Sequence, residues 1–134
     1  MKKLSDCRVL LVDDAKANLD ILVRENLVDN AARSEAVLRR ELERISQSVP
    51  QIVRVSVIGL MSSTEIDASG ASDIGALVRK IRHLTYENGL LVRVNPDGKR
   101  IAAFFYPPLM VTEDDIVTGV RALERALRTA FASS

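Results

Sequence analysis

Ile52-Val-Arg-Val-Ser-Val-Ile58 is the stretch that most limits the folds open to this chain. Five of its seven residues are β-branched, stiff at χ1 and better suited to a pleated backbone than to a helix. The run continues through Gly59-Leu-Met and Ser-Ser-Thr-Glu-Ile66, and the pattern predicts one long strand bent or bulged near Gly59. Before it the spacing is helical: Leu19, Leu22/Val23, Leu27, Ala31, Val37/Leu38, Leu42 and Ile45 recur at about one helical turn. A single helix of that length is unusual in a small domain. Asn26, which tolerates the left-handed conformation, marks a break, with Asp29 as the expected cap of a second helix ending near Ser48. After the strand comes a turn at residues 67–70. A stripe of Ile74, Leu77, Val78, Ile81 and Leu84 follows, stopped by Asn88-Gly89. Residues 90–94, the turn Asn95-Pro-Asp-Gly98 and residues 100–106 spell a hairpin ended by Pro107-Pro108. Thr112-Glu-Asp-Asp115 reads as a capping box opening a last amphipathic helix along Ile116, Val120, Leu123, Leu127 and Phe131.

With a short Val/Leu-rich strand at Arg8–Val12, the order is β-α(α)-β-α-β-β-α. It predicts an α/β (α+β) two-layer sandwich, a small mixed sheet with helices mainly on one face. The 134 residues make one domain, residues 1–14 forming an N-terminal strand segment. Val53, Val55 and Val57, with Ala103, Phe104 and Phe105, carry apolar groups to both sides of the sheet. The second face therefore calls for a cover, and a homo-oligomer is the expected one.

Composition removes several function classes. A formal net charge of +1, acids interleaved with bases and only 4% aromatic residues give no footprint for nucleic acid. No apolar run reaches the roughly 18–20 residues that cross a bilayer, and Asp6 and Asp13-Asp14 interrupt any signal-peptide core, so a cytoplasmic location is expected. Cys7, the only cysteine, excludes an internal disulfide and reads as a small buried apolar residue. His83 has no second ligand type at metal spacing, and Ser62-Ser63-Thr64 has no base partner in sequence.

Two stretches resemble known families. Arg8-Val-Leu-Leu-Val-Asp-Asp14, continuing to about residue 24, resembles the start of a response-regulator receiver domain. The resemblance implies an Mg²⁺ site at Asp13 and Asp14, because hard cations take several carboxylate oxygens gathered at a strand end. The later chain departs from that family. No aspartate ends the Val53–Leu60 run where the phospho-acceptor belongs, and no Lys-Pro follows the last strand. The other reading of the two acids is the polar start of a helix, where the dipole favours negative charge.

The second resemblance is longer. Ala17-Asn-Leu-Asp-Ile-Leu-Val-Arg-Glu-Asn-Leu-Val-Asp-Asn-Ala-Ala-Arg33, Gly59-Leu-Met with Glu65-Ile, Asn88-Gly-Leu-Leu-Val-Arg93, Gly98-Lys-Arg-Ile-Ala102 and Pro107-Pro-Leu-Met-Val-Thr-Glu-Asp-Asp-Ile116 occur in order. Together they resemble the small C-terminal domain of class III pyridoxal-phosphate aminotransferases, over about residues 17–131. The resemblance implies that the Schiff-base lysine, the acid pairing with the pyridine nitrogen and the phosphate cup belong to a large domain. None of the five lysines here (Lys2, Lys3, Lys16, Lys80, Lys99) lies in a cofactor motif. It implies no cofactor and no catalytic residue in this chain alone, with an aminotransferase large domain as a possible partner completing an enzyme in trans. It also offers Arg93 as a substrate-carboxylate ligand, since a guanidinium fork meets a carboxylate bidentately; the other reading of Arg93 is a solvent-facing residue on a strand edge. The family's short Arg-Gly-x-Gly before Leu-Met is here the longer Arg54-Val-Ser-Val-Ile-Gly59, and the N-terminal strand has no counterpart in the family. Both departures suit a fragment fused, repaired or engineered to stand alone.

Overall fold

The computed structural model describes residues 15–132. The strand expected at Arg8–Val12, with Cys7, Asp13 and Asp14, lies outside the described residues. Residues 15–24 form helix α1. There follow α2 (Leu27–Ser48), β1 (Ile52–Ile58), β2 (Met61–Asp67), α3 (Ile74–Glu87), β3 (Arg93–Asp97), β4 (Arg100–Phe105) and α4 (Glu113–Ala132).

The break between the first two helices falls at Asn26, which sits at φ 50°, ψ 42° in the left-handed region. Asn is one of the few non-glycine residues that reach it at modest cost. Asp29 does not cap α2 as expected: Asn26 holds the cap position, and Asp29 lies in the first turn, where the dipole favours its charge. Thr112 and Asp115 do form the box that opens α4. The Asp115 carboxylate accepts from the Thr112 N–H at 3.2 Å, and the Asp115 N–H donates to the Thr112 hydroxyl at 3.2 Å.

Three corrections concern the sheet. The run from residue 52 to 66 is not one bent strand but two, reversed by the two-residue turn Gly59-Leu60 that Ile58 and Met61 close. Gly59 adopts φ +56°, which a residue with a Cβ resists. The second hairpin turns at Gly98-Lys99, Gly98 at φ +59°, so Asn95, Pro96 and Asp97 belong to β3 and not to the turn. Finally, among the described residues the four strands pair antiparallel, in the order β1-β2-β4-β3, where a mixed sheet was expected. Hairpins supply every pairing except β2 to β4, where α3 and β3 intervene.

Helices α2, α3 and α4 cover one face. α2 lies against β1, α3 against β3, and α4 packs on both of those helices. Leu38, Leu42 and Ile45 of α2 and Val120, Leu123 and Leu127 of α4 are fully buried, as are Ile81, Ile66, Ile101 and Val94. From Val37 onward the stripes read from sequence lie in or against the core, whereas Leu19 and Val23 of α1, part of the first stripe, are exposed.

One polar network ties the helices together. The Glu124 carboxylate accepts from Ser48 at 2.9 Å, Arg44 at 2.9 Å and Arg128 at 3.2 Å. Burial, the largest single influence, raises its pKa, and the Ser48, Arg44 and Arg128 contacts together outweigh it, leaving the pKa below the usual glutamate value. A depressed folded-state pKa adds stability above the unfolded value of about 4.3 and loses it as pH falls through the folded one. Glu124→Gln is expected to cost about 1 kcal/mol at neutral pH. In urea titrations the difference from the parent chain should shrink as pH drops below about 4; a constant difference would remove the charge from the explanation.

Candidate functional site

No helix among α2, α3 and α4 covers the other face of the sheet, and its residues follow from the register. Ser56, Ser63, Phe104 and Arg93 form one row across the four strands, and Arg54, Glu65, Ala102 and Asn95 the next. The face divides into two ends. At one end Glu65 accepts from Arg54 Nε at 2.7 Å and Arg100 Nη1 at 2.7 Å, with Asp67 and Asp97 in register beside Arg100. Arg54 first, then Arg100, holds the Glu65 carboxyl below its usual pKa. At the other end the strands run out in Ile58, Met61 and Tyr106, which are 74%, 60% and 57% exposed. The Tyr106 ring stacks on Phe104 with centroids 6.0 Å apart and planes 10° apart. Ile58, Met61, Phe104 and Tyr106, with Ser56 and Ser63, line a shallow apolar hollow.

Arg93 stands at this same face, on the edge strand and directly opposite Phe104. It is exposed, and its Nε lies 3.0 Å from the Asn95 amide oxygen once the amide nitrogen is placed toward the Val94 carbonyl. A guanidinium beside an apolar hollow can meet an anion. His83 is exposed on α3, and its Nε2 lies 3.3 Å from Glu87. Among the described residues no group of three His, Cys, Asp or Glu side chains gathers as a metal site. Ser62 and Thr64 turn toward the helices, in register with Phe105 and Ala103, and the Ser62 hydroxyl is buried without a partner. Sequence reading did not single out Ile58, Met61 or Tyr106. Their signal was the turn glycine and the proline pair that end the strands, which put the adjoining apolar residues at the rim.

The chain was compared with known proteins. A family model described as aminotransferase class-III matches residues 12–127. Acetylornithine aminotransferase of Nostoc sp. is 33% identical over 119 residues, covering 88% of this chain and 26% of that protein. Mitochondrial ornithine aminotransferase of Rattus norvegicus is 30% identical over 122 residues, covering 90% and 24%. A thermostable omega transaminase mutant from Pseudomonas jessenii superimposes with a TM-score of 0.73 at 28% identity, covering 87% of this chain and 26% of that one. The chain thus spans about a quarter of the length of the relatives it matches. None of this supports the receiver reading of the opening residues. Among the described residues the sheet is antiparallel and has no parallel strand ends of the kind at whose crevice a phospho-acceptor site forms.

Proposed function

This chain belongs to the class-III aminotransferases, and we propose that it supplies the small domain of that family without transaminating by itself. The relatives' names imply pyridoxal-phosphate chemistry, so the fit of the described residues to that cofactor is the observation that carries the reading. An aldehyde cofactor needs an amine held in a cleft and a cradle for its phosphate. Lys80 Nζ donates to the Ala130 carbonyl at 2.9 Å, tying α3 to α4, while Lys16 and Lys99 are exposed on a helix and on a hairpin turn. Phosphate cradles use unpaired N–H groups at helix N-termini. Here the Ala76 N–H at the start of α3 donates to the Asp73 carboxylate at 2.9 Å, and α4 opens with Glu113, Asp114 and Asp115. Those acids repel a phosphate. The described residues therefore do not fit the cofactor, and no catalytic step is derived from them.

What this chain does offer is a rigid helix-backed sheet with an unburied face. In this reading the chemistry resides in a large domain, and the sheet face meets other protein. A transaminase assay with an amino donor and a keto-acid acceptor tests the reading. The chain alone is expected to give no turnover above free pyridoxal phosphate. Saturable turnover by the isolated chain, with one cofactor bound per chain, would overturn it.

A further inference from the structure

Two of the six glycines follow a side chain that can cyclise onto the next backbone nitrogen: Gly89 after Asn88 and Gly98 after Asp97. A glycine in the second place removes the Cβ that hinders ring closure. In an unfolded chain the Asn-Gly pair is the more reactive, because an ionised carboxylate resists attack and an amide is not ionised.

The structure reverses that order. Asn88 ends α3 with both atoms of its amide held. Its Nδ2 donates to the Leu84 carbonyl at 2.7 Å, and its Oδ1 accepts from Arg125 Nε at 2.9 Å. The nitrogen that would attack it is engaged as well, the Gly89 N–H donating to the Tyr86 carbonyl at 2.9 Å. Ring closure at Asn88 therefore requires all of these bonds to open at the end of a helix packed on α4.

Asp97 has none of these restraints. It is exposed, and its carboxylate has no hydrogen-bond or ion-pair partner among the described residues. Gly98 lies in the two-residue turn that Asp97 and Arg100 close, so its N–H has no ladder bond to make. A Cβ built on Gly98 meets nothing within 4 Å. For the Gly98 nitrogen to reach Cγ, the Asp97 Cα–C bond must rotate out of the extended strand, which opens the closing pair. Little else holds the tip. Hydrogen-bonded pairs alternate along an antiparallel ladder, so the next one lies at Asn95 and Ala102. Openings at such loop ends lie at the low end of local unfolding free energies.

We propose that Asp97-Gly98 is a site of covalent modification, isomerising to isoaspartate through a cyclic imide, and that the fold protects Asn88-Gly89. The Gly98 nitrogen attacks Cγ of the neutral Asp97 carboxyl group. The N–H proton and the carboxyl hydroxyl leave as water, and a five-membered succinimide closes. Water then opens the ring at either carbonyl. One opening restores Asp97, and the other leaves the backbone running through Cβ and Cγ, with one more atom in the chain. That extra atom removes the register that sets Asp97 opposite Arg100, one of the arginines bonded to Glu65. The step needs only water, whether or not the chain binds a cofactor.

Asp97→Asn in the full 134-residue chain tests the structural part, because it gives positions 88 and 97 identical chemistry and leaves only the fold to separate them. Trypsin places the two on different peptides, residues 83–93 and 94–99, and deamidation makes each one mass unit heavier. In the folded chain position 97 is expected to deamidate at least about tenfold faster than Asn88, and in urea the two rates are expected to converge. Equal rates in the folded chain, or a faster Asn88, overturn the proposal. In the parent chain, isoaspartate is expected to accumulate at residue 97 with no change in mass, counted by methyl transfer from labelled S-adenosylmethionine with an isoaspartyl methyltransferase. Asp97→Glu, whose longer side chain would have to close a slower six-membered ring, is expected to abolish that signal. A parent chain that forms no isoaspartate, or a signal that survives Asp97→Glu, overturns the assignment.

Discussion

Leu123→Ala is expected to lower the unfolding free energy by about 3–4 kcal/mol. Leu123 is fully buried near the middle of α4, the helix that packs on both α2 and α3. Removing its isobutyl group forfeits the transfer free energy of the side chain and leaves a cavity. The helices packed around α4 are anchored elsewhere and so collapse only partly into that cavity. A domain of this size has a total stability of only about 5–15 kcal/mol, so the variant should unfold at visibly lower denaturant. A midpoint shift in urea equivalent to less than about 1 kcal/mol would mean that α4 is not the central packing element.

Gly119→Val is the second large effect. A glycine inside a helix ordinarily costs about 1 kcal/mol against alanine, so its presence in α4 needs a reason. A Cβ at this position meets the Phe105 ring at 3.2 Å and Leu90 Cδ1 at 3.6 Å. The helix passes close to β4 there, and Phe105 fills the space a side chain would take. Alanine gains helix propensity and loses it again to that contact, a small net change. Valine adds two methyl groups with a restricted χ1, and an overpacking cost of about 2–3 kcal/mol is expected. Combining it with Phe105→Leu should recover part of the loss in a double-mutant cycle, and full additivity of the two changes would show that they do not touch.

The helices were the most legible part of the chain. Ile74, Leu77, Val78 and Ile81 recur at helical spacing because that spacing puts them on one side of α3, and the structure buries them there or half-buries them. Asn26 and Thr112 announced their roles because their side-chain chemistry is local. Strand boundaries were less legible. Gly59-Leu60 reverses the chain with no Asn, Asp or Pro to signal a turn, and apolar residues on both sides read as one continuous strand. In the second hairpin, Asn95-Pro-Asp-Gly98 has strong turn composition, yet only Gly98 takes a positive φ. The first three residues lie along an edge strand, where a proline costs no ladder bond.

Strand direction was legible only in the second hairpin; elsewhere a pattern of apolar residues fixes which face is buried and not which neighbour pairs. The two-strand reading of residues 52–66 would have implied an antiparallel hairpin at once. As for the candidate site, an uncovered sheet face could be inferred from Val53 and Phe104, each with an apolar neighbour of opposite facing. Its division into a charged and an apolar end could not. That depends on the register that sets Arg54, Glu65 and Arg100 together on three strands. Arg93 was singled out by resemblance, and the structure adds its position across from Phe104. Asp13 and Asp14 stay with the residues beyond those described.

The central claim is that this aminotransferase-family chain carries scaffold and not cofactor chemistry. Borohydride reduction of the isolated chain with limiting pyridoxal phosphate, followed by peptide mass spectrometry, tests it most directly. Reduction traps whichever amines have condensed with the aldehyde. The account predicts sparse labelling spread over several lysines, Lys16 and Lys99 among them, rising in proportion to cofactor without saturation. One lysine labelled stoichiometrically and saturably, above all Lys80 despite its bond to the Ala130 carbonyl, would contradict it.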